Sequence, residues 1–466
     1  GPMRITDGLS NVCDLSIGLV VGDLNITGTK IQASDKQASD YFGTSVSMSS
    51  DGAKFIVGAY AEDTAGSGAG AAYIFAYNGS SWVQEAKIVA SDGQGSDDFG
   101  YDVAMSGDGT KVIIGAKDED TGGSNAGAAY IFVFSSGSWS QQQKIQSSDI
   151  QAGDYFGSSV AMSSDGTKVM VGAPENDWPG SNAGSAYIFA FSSGSWSQEA
   201  IILSSDLQAG DKFGGSVALN SDGTKVIVGA PYEDTVSSYA GSAYIFGLSN
   251  GSWSQEAKVQ ASDADGYDFF GDKVSMSGDG SRVIVGAFRG GQLAGDAGAA
   301  YIYKGISGSW SQEAKILPTD IQANDNFGMD VSMSLNGEKV VVGAYRESTG
   351  ATWAGAAYTF NLDGSTWSQD DKLQAPDPEY ADYFGYSVAM SGDGSKVLVG
   401  ASNEDTGGTD AGAAYIFVAP YLTALYSSTP ISAAGTTLSF TGQHMCVPEG
   451  PMSPGLVVSA NKNRYV

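Results

Sequence analysis

Hydrophobic and polar positions along this chain fall into a pattern of short strands. In Ser158-Ser-Val-Ala-Met-Ser163, Val160 and Met162 alternate with small or polar neighbours, the period of a strand with one buried face. Asp165-Gly166 follows, a two-residue hairpin turn in which glycine tolerates positive φ. Lys168-Val-Met-Val-Gly-Ala173 is apolar at nearly every position after the lysine, as expected of a strand buried on both faces. A long polar loop over 174–184 leads to a third strand, Ser185-Ala-Tyr-Ile-Phe-Ala-Phe191. Ser192-Ser-Gly-Ser195 turns the chain, and Trp196-Ser-Gln-Glu-Ala200 opens a fourth strand.

This unit recurs without insertion or deletion. Phe-Gly dipeptides begin at Phe42, Phe99, Phe156, Phe213, Phe270, Phe327 and Phe384, each 57 residues from the next. Four antiparallel strands repeated seven times predict an all-β fold, a seven-bladed β-propeller; a solenoid would need atypical caps at both ends. The last unit stops after Ala413-Ala-Tyr-Ile-Phe-Val418 and lacks a Trp-bearing fourth strand. Asn25-Ile-Thr-Gly-Thr-Lys-Ile31 lies one period before Trp82-Val-Gln-Glu-Ala-Lys-Ile88. The N-terminal segment is therefore expected to supply the outer strand of the last blade, closing the ring and removing free sheet edges. With Asn25 at the tryptophan position, that blade is expected to be the least well packed. The domain reading is an N-terminal extension over 1–23, opening on a Gly1-Pro2 tag scar, a propeller over 24–418 and a C-terminal extension over 419–466.

Phe-Gly at the start of each unit and Gly-Ala after its second strand, completed as Gly172-Ala173-Pro174 and Gly229-Ala230-Pro231, resemble the FG-GAP repeat family. The resemblance implies seven-bladed propellers like those of integrin α-subunit heads. Such repeats often carry a D-x-D-x-D-G calcium loop; here the corresponding turn is a bare Asp-Gly, as at Asp51, Asp108 and Asp165. The tail from Gln443 to Asn463 resembles the start of an autoproteolytic, chaperone-type domain of phage and viral tail appendages. That resemblance implies a virus-type fibre protein or a cellular relative; a plain extended tail is the alternative.

Charge narrows the partners. The net charge of −29 argues against nucleic acid and anionic membranes, which need a basic surface. No run of about 20 apolar residues is present, so no membrane insertion is expected. The single histidine, His444, and two cysteines, Cys13 and Cys446, exclude repeated histidine catalysis and a disulfide framework.

Two acidic series fall on the face that carries the long loops, where binding residues usually lie. The blade-to-blade connection reads Ser-Asp-x-x-x-x-Asp, from Asp35 and Asp40 to Asp377 and Asp382. Recurrence in every blade favours backbone capping in turns. Glu62-Asp63, Glu119-Asp120, Glu233-Asp234 and Glu404-Asp405 recur in the second-to-third loop and are candidate calcium ligands, since hard cations take several loop oxygens.

A recognition site should instead differ between blades. Tyr239 and Trp353 replace small polar residues 26 positions after Phe, and Trp178 is another loop aromatic. Phe288-Arg289 and Tyr345-Arg346 follow Gly-Ala in adjacent units. Aromatic platforms with a charged neighbour suit a sugar ring or a protein hot spot. Trp82, Trp139, Trp196, Trp253, Trp310 and Trp367 occupy one repeat position and read as packing.

The expected function is non-enzymatic binding or adhesion at an extracellular or virion surface, toward a glycan or cell-surface protein. A structural spacer or assembly protein is the alternative. A glycoside hydrolase would need a carboxylate pair that occurs once, and nearly all pairs here recur. Gly18-Leu-Val-Val-Gly22 and Gly455-Leu-Val-Val-Ser459 could pair, or join other chains in a homotrimer.

Overall fold

The computed structural model describes residues 28–290 and 295–419, and the backbone of Met3–Thr6 and Val12–Leu15. Those two short strands pair antiparallel. Ile26–Ala419 forms a separate compact unit of seven sheets, each of four antiparallel strands in a simple meander. The first blade comprises Val46–Met48, Lys54–Ala59, Ala71–Tyr77 and Trp82–Ile88. The last comprises Phe384–Met390, Lys396–Ala401, Ala413–Val418 and, from the other end of the chain, Thr29–Ile31. Thr29 pairs with Ile416, Lys30 with Tyr415 and Ile31 with Ala414, so the N-terminal strand closes the ring. Asn25, the two Leu-Val-Val runs and the tail after Ala419 lie outside the described residues.

Burial follows strand position. After its lysine, the second strand is buried at every residue, as in Lys54–Ala59, while the outermost strand is largely half-exposed. The first strands line the axis, where Met48, Met105, Met162, Leu219, Met276, Met333 and Met390 border one central cavity. Beside them the turns of successive blades join in a closed hydrogen-bond circuit. Ser50 N–H donates to Gly107 O, Gly107 to Ser164, Ser164 to Ser221, Ser221 to Gly278, Gly278 to Leu335, Leu335 to Gly392 and Gly392 back to Ser50, all at 2.8–3.0 Å. No blade can leave this circuit without breaking two of its bonds.

The dipeptides that mark the repeat hold neighbouring blades together. Phe42 is fully buried and packs edge-on against Tyr73, and the same contact recurs at Phe99–Tyr130 and onward. The Phe99 N–H donates to Ala69 O of the preceding blade. Gly100 sits at φ +95°, and a Cβ at Gly58 would stand 2.0 Å from Gly100 O. Blades thus approach backbone to backbone, a distance only glycine allows. The periodic tryptophans pack as expected: Trp82 lies 4.8 Å from the Phe55 ring, and the Trp253, Trp310 and Trp367 indoles donate to Glu199, Glu256 and Glu313 of the preceding blades.

Candidate functional site

The second-to-third loops and the blade-to-blade connections emerge on the face opposite the closed circuit of turns. Their acidic residues are organised by lysines from the outermost strands. Lys87 Nζ lies 2.6 Å from Asp35 and 2.8 Å from Glu62, which is 0% exposed. Thr64 donates to the same carboxylate through both N–H and Oγ. Lys144 joins Asp92 and Glu119, Lys258 joins Asp206 and Glu233, and Lys30 joins Asp377 and Glu404 in the same way. Burial alone would lower the pKa of these lysines, but their carboxylate bonds raise it above the ordinary value. Asp63, Asp120 and Asp405 point elsewhere, each accepting a backbone N–H five residues on at 2.8 Å; Asp234 occupies the equivalent position.

Seven of the eight acids read from sequence as calcium ligands, Asp234 being the eighth, are therefore brought together with ammonium groups or loop N–H donors. No three acidic, histidine or cysteine side chains converge in a metal-binding group among the described residues. Glu347, which the Glu-Asp pattern missed because Ser348 follows it, belongs to the same series through Lys372 at 3.1 Å. Blade three carries Asn176 and Ile201 where five others have Glu and Lys, so both charges are absent together, while blade five has Gly290 and keeps Lys315, paired with Asp263. The Ser-Asp connections combine ion pairing at the first Asp with turn capping at the second: Asp40 accepts Gln37 N–H at 2.7 Å. Burial pushes Asp40, Asp211, Asp325 and Asp382 up to about 6.

The blade-specific aromatics form two groups. In one, Tyr239 packs against Tyr232 at 5.2 Å and Phe269 at 6.1 Å, and Phe269 stacks on Phe288 at 5.5 Å. The Arg289 guanidinium lies over Phe269 and Phe288, at 5.4 and 5.5 Å. In the other, Tyr345 packs against Tyr383, and Trp353 against Tyr380 at 5.9 Å. Arg346 lies over Tyr345 and Trp353, at 4.9 and 5.7 Å. Burial raises the Tyr345 pKa, and the charges of Arg346 and Arg289 oppose that shift. Trp178, 61% exposed and followed by a cis Pro179, joins neither group.

Tyr239 and Trp353 have φ of 55° and 58°. So do their counterparts in the other blades, where Gly68, Asn125, Asn182, Asp296 and Asp410 stand. The scaffold imposes a left-handed residue here, which suits Gly, Asn and Asp and disfavours bulky side chains. Sequence reading missed Tyr267, Phe269, Tyr380 and Tyr383. All lie in the connections just before Phe-Gly, where the position preceding Phe reads Tyr, Asp, Tyr, Lys, Phe, Asn, Tyr. That variability was the available signal.

A second blade-specific series lies along the first strands, three residues after each Phe: Ser45, Asp102, Ser159, Ser216, Lys273, Asp330 and Ser387. Ser159, Ser216, Asp102 and Asp330 each accept an N–H from the next blade's first strand. Lys273 has no acceptor to offer, and Asp330 takes its own Val331 N–H at 2.9 Å instead. Burial would lower the Lys273 pKa, but the carboxylates of Asp330, Asp102 and Asp272 raise it.

Comparison with known families gives seven matches to the FG-GAP repeat, at residues 28–75, 82–132, 139–189, 196–246, 253–303, 310–360 and 367–417. No curated protein matches the chain.

Proposed function

The chain belongs to the FG-GAP repeat family, and from that premise we propose that it is a non-enzymatic binding or adhesion module that recognises a glycan or surface protein through its long-loop face. The observation that carries this reading is the pair of aromatics, Tyr239 and Trp353, held in left-handed backbone where five other blades use Gly, Asn or Asp. A bulky residue there costs about 1–2 kcal/mol, and strain of this kind is retained where it serves a site. The rings neighbour further exposed aromatics: Tyr267 is 55% and Tyr380 66% exposed. Exposed apolar rings beside cations are typical of recognition surfaces.

Within this reading the protein works outside cells or on a virion, and the tail's resemblance to fibre-terminating domains supports the second setting. A glycan array and a cell-binding assay, run with wild type and Trp353→Asn, test it. Signal that falls sharply in the variant supports the face as the binding surface. Full signal in the variant removes Trp353 from it. No ligand at all, with tight self-assembly, favours the spacer alternative, which the near-identity of the blades supports.

A further inference from the structure

Cations on this acidic molecule are mostly neutralised where they stand. Lys117 is held between Asp98 and Asp118, and Lys212 lies 2.5 Å from Glu175. Arg289 and Arg346 are different. Neither reaches a carboxylate among the described residues, and the Arg346 Nε is buried without a hydrogen-bond partner. Each guanidinium instead lies over two aromatic rings and makes no side-chain hydrogen bond to a described residue. The two hold one repeat position in adjacent blades, 57 residues apart, so the region between the two aromatic groups borders both cations.

Resting on the binding-face reading, we infer that this region takes an acidic sugar: a pyranose whose carboxylate lies between Arg289 and Arg346 and whose ring packs on Trp353 and Tyr380. A guanidinium offers two parallel N–H donors that match the two coplanar oxygens of a carboxylate. Leaving a guanidinium unpaired on a protein of net charge −29 fits a site whose partner carboxylate arrives with the ligand. The same net charge repels every further negative group. It therefore favours a sugar with a single carboxylate over a heavily sulfated chain. The aromatic pair supplies the apolar contact for the C–H face of the ring.

The test measures binding of the full chain to two probe pairs: a glucuronate-containing tetrasaccharide with its carboxyl-reduced form, and sialyllactose with lactose. The two pairs distinguish a uronate from a sialate source. The expected result is at least about tenfold tighter binding of one acid than of its neutral partner. That preference should collapse in the Arg289→Gln, Arg346→Gln double variant, with the melting temperature checked to show that the variant folds. Equal binding of acid and neutral forms overturns the acidic-sugar inference while leaving the face as a glycan site. Acid preference that survives in the double variant also overturns it, as does tighter binding of a sulfated tetrasaccharide. If no probe binds, the inference falls, and the cell-binding comparison with Trp353→Asn decides the binding face separately.

Discussion

On one face of the propeller, two regions built on the same backbone treat their cations in opposite ways. Around blades two to four, Lys117 lies 4.6 Å from the Tyr101 ring and Lys212 4.8 Å from Tyr232, and each also has a carboxylate. Around blades five and six, Arg289 and Arg346 keep the aromatic contact and have no carboxylate among the described residues. The left-handed loop position is divided differently. It holds Gly68, Asn125, Asn182, Asp296 and Asp410 in five blades and Tyr239 and Trp353 in the fourth and sixth, so only blade six has both a bulky residue there and a cation without a carboxylate among the described residues. Because the repeat imposes equal backbone geometry, the difference cannot come from the fold. One region satisfies its own groups; the other leaves cations and rings presented at a cost in stability.

The largest effect is expected where the satisfied pattern is broken at its most buried point. Lys87→Ile leaves the Glu62 carboxylate, 0% exposed, without its cation. Removing one partner of a buried pair costs about 3–5 kcal/mol, and access of solvent to the lysine places the expected loss near the lower value, about 3 kcal/mol. Adding Glu62→Asn recreates the Asn–Ile combination of Asn176 and Ile201 and should recover most of that loss. Denaturant unfolding of the two variants checks both parts. A double variant no more stable than the single one would show that the pair is not what stabilises the loop.

At the other region the sign reverses. Trp353→Asn restores the residue type found at Asn125 and Asn182, so stability should rise by about 1 kcal/mol as left-handed strain is relieved. Ligand binding should weaken by about 2 kcal/mol or more, the usual cost of truncating an aromatic hot spot. A variant that loses both stability and binding would mean that Trp353 is a packing residue.

How much of this was legible in the sequence follows from what repetition reveals. The strands, the turns, the closure by Thr29–Ile31 and the packing tryptophans each recur at one interval, so any single copy is checked by the others. Counting acids in the sequence did not locate the lysines that stand beside them. Glu62 and Lys87 lie 25 residues apart on different strands, and only the fold sets them 2.8 Å apart. One clue was present: blade three loses both charges together, at Asn176 and Ile201. Phe288, Arg289, Tyr345, Arg346 and Trp353 could be named because they break the repeat. Their partners Phe269, Tyr380 and Tyr383 could not. They sit in connections whose recurrent Asp residues drew the eye to capping, and the contacts of Tyr380 and Tyr383 cross from one blade to the next.

A smaller change separates the two regions by readout. Lys117→Met leaves Asp98 and Asp118 facing each other without a cation. Burial and the neighbouring Asp118 already push Asp98 up to about 6. Both side chains remain partly exposed, so solvent screening holds the expected loss to about 1 kcal/mol. Binding should not change, because this cation is already neutralised. Weakened ligand binding in this variant would extend the recognition surface into the satisfied region and erase the distinction.

The smallest and most distributed effect is the pH dependence of stability, and its sign can be derived. Asp40, Asp211, Asp325 and Asp382 are held up to about 6 by burial, above the ordinary 3.8. The folded state therefore binds protons more tightly than the unfolded chain, and stability contributed by these groups is lost as pH rises through about 6. Asp35, Asp92, Asp206, Asp320 and Asp377 behave oppositely. Burial works against them, but their lysine bonds hold them below 3.8, so their contribution is lost as pH falls through that lower range. The contributions of the two sets are both present only near the unfolded value, so thermal melting should show a maximum near about pH 4, with the melting temperature falling through about pH 6 and a few degrees lower at about pH 8. Asp382→Asn removes one of the raised groups and should flatten the alkaline side of that curve. A melting temperature that climbs steadily from about pH 5 to 8 would show that these four carboxylates are ionised in the folded ring at little cost, and that burial in the connections is shallower than their packing implies.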